Sequence, residues 1–333
     1  MKKNILFLIA LGLSLFSGQS VLANDINYSV KANIPENQIG KSSSYFDLKM
    51  APNSEQDISV TIFNNSNEKE TIIVEVNNAL TNQNGVIDYT KHGRKTDESL
   101  KYPIEKLVTN NRQKIEFSPG ETKKEVSFHI KMPSEKIIGT ILGGVHVFKD
   151  NRNKANEKQN VTIENLYSYV LGIQIRENLN TIQPVMNLKE IKPILANYRT
   201  AVAAKLQNST PTILRKVSID AQVFKKNSKE ILYKTRKTDM NVAPNTNFNF
   251  PINWKNEELK SGKYTLKMHV ESDQGQWDFV KDFTIKKNEV KKLNEKAVEL
   301  RKSDNTLVYV LITIIIMLTS GFIWFYLKTK KED

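Results

Sequence analysis

From Asn27 onward, apolar and polar residues alternate in short runs broken by Asn, Gly, Ser and Pro clusters. Phe46, Leu48 and Met50 alternate, and Ala51-Pro52-Asn53-Ser54 turns the chain. Ile58, Val60 and Ile62 alternate again, Asn64-Asn65-Ser66-Asn67 turns, and Ile72, Val74 and Val76 follow. Val126, Phe128 and Ile130 come after Ser118-Pro119-Gly120, then Val145 and Val147. Side chains alternate faces along a strand, so period two marks strands with one buried face. The predicted fold class is all-β: two tandem immunoglobulin-like β-sandwiches, a helical stalk and one C-terminal transmembrane helix.

The segment 166–176 (Tyr167, Tyr169, Val170, Ile173, Ile175) reads as a strand that pairs with 140–148 and closes the first sandwich. A second set follows over 186–191, 201–206, 217–224, 231–234, 248–254, 264–270 and 277–285. Between the first-domain strands, 81–112 is Asn-rich and weakly periodic. A loop that long in a compact domain is either functional or mobile. Residues 149–160 are polar and charged, without strand character.

Both ends are apolar. Residues 5–22 follow the basic start Met1-Lys2-Lys3-Asn4, and Val21-Leu22-Ala23 suits cleavage before Asn24. Residues 307–327 carry no charge and span roughly 31 Å as a helix at ~1.5 Å per residue. The expected membrane anchor is Leu307 to Leu327, with Tyr309, Trp324 and Tyr326 in the interfacial belts and Lys328, Lys330 and Lys331 on the cytoplasmic side. Val290, Leu293, Ala297 and Leu300 give a short helical stripe. The organisation expected is a signal peptide 1–23, domains 24–177 and 178–287, a stalk 288–306, the span 307–327 and a tail 328–333. The location expected is a single-pass cell-membrane protein with both domains in the wall.

The chain has no cysteine, so neither disulfides nor thiolate chemistry enter. Its net charge is +13. A cationic exterior suits an anionic wall, and lysine-rich surfaces equally keep a protein soluble; charge leaves the two open. Nucleic acid is disfavoured by compartment. The four histidines are dispersed, with no HExxH, no phosphate loop and no nucleophile motif, so the expectation is no metal, no cofactor and no enzyme. Gly143-Gly144 opens a strand and marks a bulge or a close backbone approach. Asn64-Asn65-Ser66 and Asn208-Ser209-Thr210 fit the glycosylation sequon. Tyr89, Arg94 and Tyr102 in the long loop are the glycan-binding candidates, since tyrosine offers an apolar face and a polar tip.

An ordered set of motifs carries a resemblance. Tyr28-Ser29-Val30-Lys31-Ala32 precedes Ile34-Pro35-Glu36-Asn37-Gln38, Tyr45-Phe46-Asp47-Leu48 and Asn84-Gly85-Val86-Ile87-Asp88-Tyr89. Pro119-Gly120-Glu121-Thr122, Gly139-Thr140-Ile141-Leu142-Gly143-Gly144 and Tyr167-Ser168-Tyr169-Val170-Leu171-Gly172 follow. Ala243-Pro244-Asn245-Thr246-Asn247-Phe248 and Leu259-Lys260-Ser261-Gly262-Lys263-Tyr264-Thr265-Leu266 complete the set. Over nearly the whole exported chain this resembles the WxL-interacting proteins of Gram-positive bacteria. The resemblance implies a peptidoglycan-binding first domain, a host-binding second domain with a sequence edge near 155–161, and WxL-domain proteins as partners. Peptidoglycan or wall polymers, and host extracellular matrix, are the other partners implied. The competing reading is an envelope assembly chaperone or sensor whose exposed sandwich edge pairs with an extended partner strand; a bare edge beside Gly143-Gly144 would favour it.

Overall fold

The computed structural model describes residues 27–150, 167–301 and 306–329, with side chains of the last stretch given for 310–324. In chain order come β1 (Tyr28–Asn33), β2 (Phe46–Lys49), β3 (Glu55–Asn64) and β4 (Glu70–Asn78). The short β5 (Leu80–Thr81) and β6 (Ile87–Asp88) precede helix α1 (Ile104–Leu107) and β7 (Val108–Thr109). Then follow β8 (Arg112–Phe117), β9 (Lys123–Lys131), β10 (Ile141–Lys149) and β11 (Ser168–Arg176). The remaining strands are β12 (Met186–Ala196), β13 (Arg199–Asn208), β14 (Leu214–Lys225), β15 (Ile231–Val242), β16 (Thr246–Asn253), β17 (Gly262–Ser272) and β18 (Gly275–Ile285). Helices α2 (Lys287–Lys296) and α3 (Thr306–Thr329) close the chain.

The first compact unit comprises the chain up to Ala79 together with Tyr89–Lys95 and Tyr102–Asn180. One sheet has the order β1-β3-β9-β7, the other β2-β11-β10-β4-β8. The alternating residues meet as expected: Ile58, Val60, Ile62, Val126 and Phe128 share a core with Val74, Val76, Val145, Val147 and Ile175. β11 pairs antiparallel with β10, as its sequence suggests, and parallel with β2. β10 therefore lies inside the sheet, flanked by β4 and β11. No edge lies beside Gly143-Gly144.

The second unit comprises Leu80–Asp88, Thr96–Lys101 and the chain from Thr181. Its sheets, β12-β13-β16 and β15-β14-β17-β18, enclose Val202, Leu206, Phe250 and Ile252 with Val217, Ile219, Leu266 and Val270. Trp254 is fully buried, while Trp277 and Phe279 pack at the core margin. The long loop read from the sequence is thus not one loop. The β5–β6 hairpin belongs to this unit and is bonded into it: Thr81 Oγ1 accepts from Ala243 N–H at 2.9 Å and meets Thr246 Oγ1 at 2.8 Å, all buried. Asn241 N–H donates to Gly85 O at 2.8 Å. Gly85 sits at φ +69 with Met240 in the space a side chain would need, a position only glycine fills. Asp97 Oδ1 accepts from Gln207 at 2.8 Å, and Asp97 also bonds Asn247 and Ser99.

The stalk expectation changes in form. α2 ends at Lys296, its Val290 and Leu293 pack on the second core, and Asn294 clamps Leu259 from both sides, at 3.0 and 3.1 Å. Beyond α2, Val298 N–H donates to Tyr198 O, and Arg301 N–H to Asn256 O.

The single-pass membrane placement is corrected: among the described residues no helix is long and apolar enough to cross a membrane. The apolar, exposed side chains described in α3 run from 310 to 324. Trp324 is exposed. The side chains of Leu307, Tyr309, Tyr326, Leu327 and Lys328, and the whole of Lys330, Lys331 and the segment 1–23, lie outside the described residues.

Candidate functional site

β4 and β10 run side by side, and period two places Val74, Val76, Val145 and Val147 in the core. Their alternates, Glu75, Asn77, Gly144 and His146, point away from it, with His146 opposite Glu75 and Gly144 opposite Asn77. Outward polar residues on a sheet ordinarily meet water. Here Glu75, Asn77 and His146 are only 3%, 0% and 7% exposed.

Buried polar atoms must find partners, and these do so in a relay. Glu75 Oε1 accepts from Asn77 Nδ2 at 3.1 Å and meets His146 Nδ1 at 3.2 Å. Asn77 Nδ2 also donates to Tyr89 O at 2.7 Å, and Asn77 Oδ1 meets His92 Nδ1 at 2.7 Å. Arg112 Nη1 stands 3.3 Å from Glu75 Oε2, close enough for charge attraction but without hydrogen-bond alignment. Burial raises the Glu75 pKa, but His146, Asn77, Arg112 and His92 together outweigh it and hold the carboxyl below its ordinary value.

The relay fastens the segment 89–95 to the sheet. A Cβ on Gly144 would lie 3.0 Å from the Tyr89 ring, and one on Gly143 would lie 2.5 Å from Asn77 O. This is the close backbone approach that the glycine pair suggests. Gly93, at φ +64, donates its N–H to Glu105 Oε2 at 3.3 Å, while Glu105 Oε1 accepts from Asn78 N–H at 3.0 Å. Between and beyond these fastenings Lys91, Arg94 and Lys95 are exposed.

The sequence candidates occupy three settings. Tyr89 lays its ring on Gly144; Tyr102 packs against the first core and donates its hydroxyl to Glu135 at 2.7 Å; Arg94 is exposed. Glu75 and Asn77 had no sequence signal beyond polar residues on an outward face, and Gly143-Gly144 was the one hint that something lies on that face. His129 and His269 are exposed, on Asp57 and Asp278 at 2.7 Å each. Among the described residues no His, Cys, Asp and Glu group is arranged to hold a metal. Both sequon asparagines are buried corner residues. Asn64 bonds Ser66 and Glu121, and Asn208 bonds Thr210, Thr212 and Ala243, so neither side chain is open to a glycan.

No curated protein matches the chain. Among solved structures, the YadV chaperone is 9% identical, with a TM-score of 0.27 over 78% of this chain and 100% of that one. The E. coli chaperone DraB is 13% identical, with a TM-score of 0.26 over 77% and 96%. Likeness at that level carries no argument. The family comparison is different in kind. Residues 28–149 match the WxL Interacting Protein peptidoglycan binding domain, and residues 158–295 match the WxL Interacting Protein host binding domain. These spans, in the order the sequence motifs imply, cover most of the chain, which belongs to the WxL-interacting protein family.

Proposed function

We propose that this is a non-enzymatic cell-surface binding protein whose first unit holds peptidoglycan and whose second engages WxL-domain proteins or host matrix. The observation that carries it is the order of the two binding-domain matches along one chain. Both units are read as immunoglobulin-like sandwiches, with the structural boundary near Glu177, because β11 completes the first sheet beyond the end of the first family match. Within the first unit, the outer face around Gly144 and the 89–95 segment is the proposed wall-facing surface. Arg94 is its exposed contact, and Tyr89 and Tyr102 are positioning residues. The alternative, a chaperone or sensor that takes a partner strand on a sandwich edge, gains no support at Gly143-Gly144, since β10 is paired along both sides.

The test is co-sedimentation of the full chain with purified sacculi at low and high salt. Retention under both conditions is expected; loss under both removes the peptidoglycan reading. Capture of WxL-domain proteins from wall extracts, identified by mass spectrometry, tests the second unit.

A further inference from the structure

We propose that residues 91–95 of the first unit form a preorganised cationic finger that takes a phosphodiester wall polymer. It lies on the wall-facing surface proposed above and deepens that reading by naming the anionic polymer this segment takes. It rests on the cell-surface reading only for which polyanion it meets.

Lys91, Arg94 and Lys95 put three cations within five residues, all exposed. None has a carboxylate partner among the described residues. The acidic groups nearest in the network are committed elsewhere: Glu75 to His146, Asn77 and Arg112, and Glu105 to the backbone of Asn78 and Gly93. The finger is also held. Tyr89 is fixed on Gly144, His92 on the fully buried Asn77, and Gly93 on Glu105. Ordering a loop on binding costs free energy, and a loop already fastened at three points avoids most of that cost.

The chemistry favours phosphodiesters. They remain ionised throughout the working pH range and recur along a chain. The Arg fork and the Lys point charges both suit phosphate oxygens. A neutral glycan would gain nothing from three unpaired cations.

The experiment uses the full chain with poly(glycerol phosphate), with poly-glutamate of similar charge, and with peptidoglycan stripped of phosphodiester polymer. Affinities are read across a salt series at pH 8. For poly(glycerol phosphate), the Lys91→Ala, Arg94→Ala, Lys95→Ala triple variant is expected to bind about tenfold more weakly. Its slope of log affinity against log salt should fall by about 2, at ~0.7 per phosphate contact on a single-stranded polyanion. His92→Ala keeps those charges but releases the clip, and should weaken binding severalfold. Arg94→Glu, a single exposed change with an unaltered melting temperature, gives the same direction without risk to folding. Unchanged affinity in the triple variant and in Arg94→Glu overturns the proposal. So does equally tight binding of poly-glutamate by the parent protein. Retention of the parent protein on stripped peptidoglycan is read separately. Its loss in the parent removes the peptidoglycan reading and leaves this one standing.

Discussion

A methyl group on Gly144 would stand 3.0 Å from the Tyr89 ring, which must then give way although the Asn77 bond to Tyr89 O holds that residue in place. Gly144→Ala is expected to destabilise the first unit by about 1–3 kcal/mol, the range for forcing an extra carbon into a packed site. Denaturant unfolding of the full chain measures it. Glu75 makes a second test at this scale. Its folded pKa is lowered, so its stabilisation is complete above the ordinary value of 4.5 and is lost as pH falls through the folded value. Glu75→Gln should therefore lower stability by a constant amount above 4.5 and flatten the acid limb of stability against pH. His129 runs the other way. Asp57 chiefly, with Glu55, raises its pKa above 6.5, so the ion pairs are complete below that value and fade as pH rises through the folded one. An NMR titration should place His129 above 6.5, and Asp57→Asn should bring it back toward that value. The glycine pair was legible because glycine in a strand marks a bulge or a close approach, and here it is the close approach. The buried Glu75 was not, because period two tells which side a residue faces and not what covers that side.

Elements were legible where alternation was strong and blurred where charge interrupted it. β15 extends to Val242 rather than ending near Lys234. Its run Lys234-Thr235-Arg236-Lys237 stays on the ladder to β14 as an edge strand, and pairing resumes at Met240 after a register shift. Charges on an edge also discourage pairing with another chain. The β5–β6 hairpin, two residues per strand, has no pattern to read; what fixes it is Thr81 and Gly85 within the second unit. Thr81→Val keeps the shape and removes the oxygen that takes Ala243 N–H. A loss of about 1–3 kcal/mol is expected for the buried donor left behind, measured by thermal or chemical melting. A segment starting at residue 158, where the second family match begins, lacks 80–88 and 96–101. It should melt lower than the full chain's second unit, as read by tryptophan fluorescence from the fully buried Trp254.

For the whole molecule, the net charge of +13 says only that anionic surroundings attract it. The exposed run at 91–95 gives that attraction an address, so retention on intact wall should fall with added salt more steeply than retention on stripped peptidoglycan. The terminal apolar runs were the boldest sequence features, and the membrane placement built on them is the reading that the described residues overturn. Most strands, the residues that face each core and the order of family motifs could be read from the chain, since alternation, turn residues and short motifs are local properties. Long-range packing alone assigns the segments 80–88 and 96–101 to the second unit, and buries Glu75, Asn77 and His146 on an outward face. Both depend on contacts between residues far apart in the chain, such as Thr81 with Thr246 and Glu75 with His146, and no periodicity records which distant segment comes to cover a given surface.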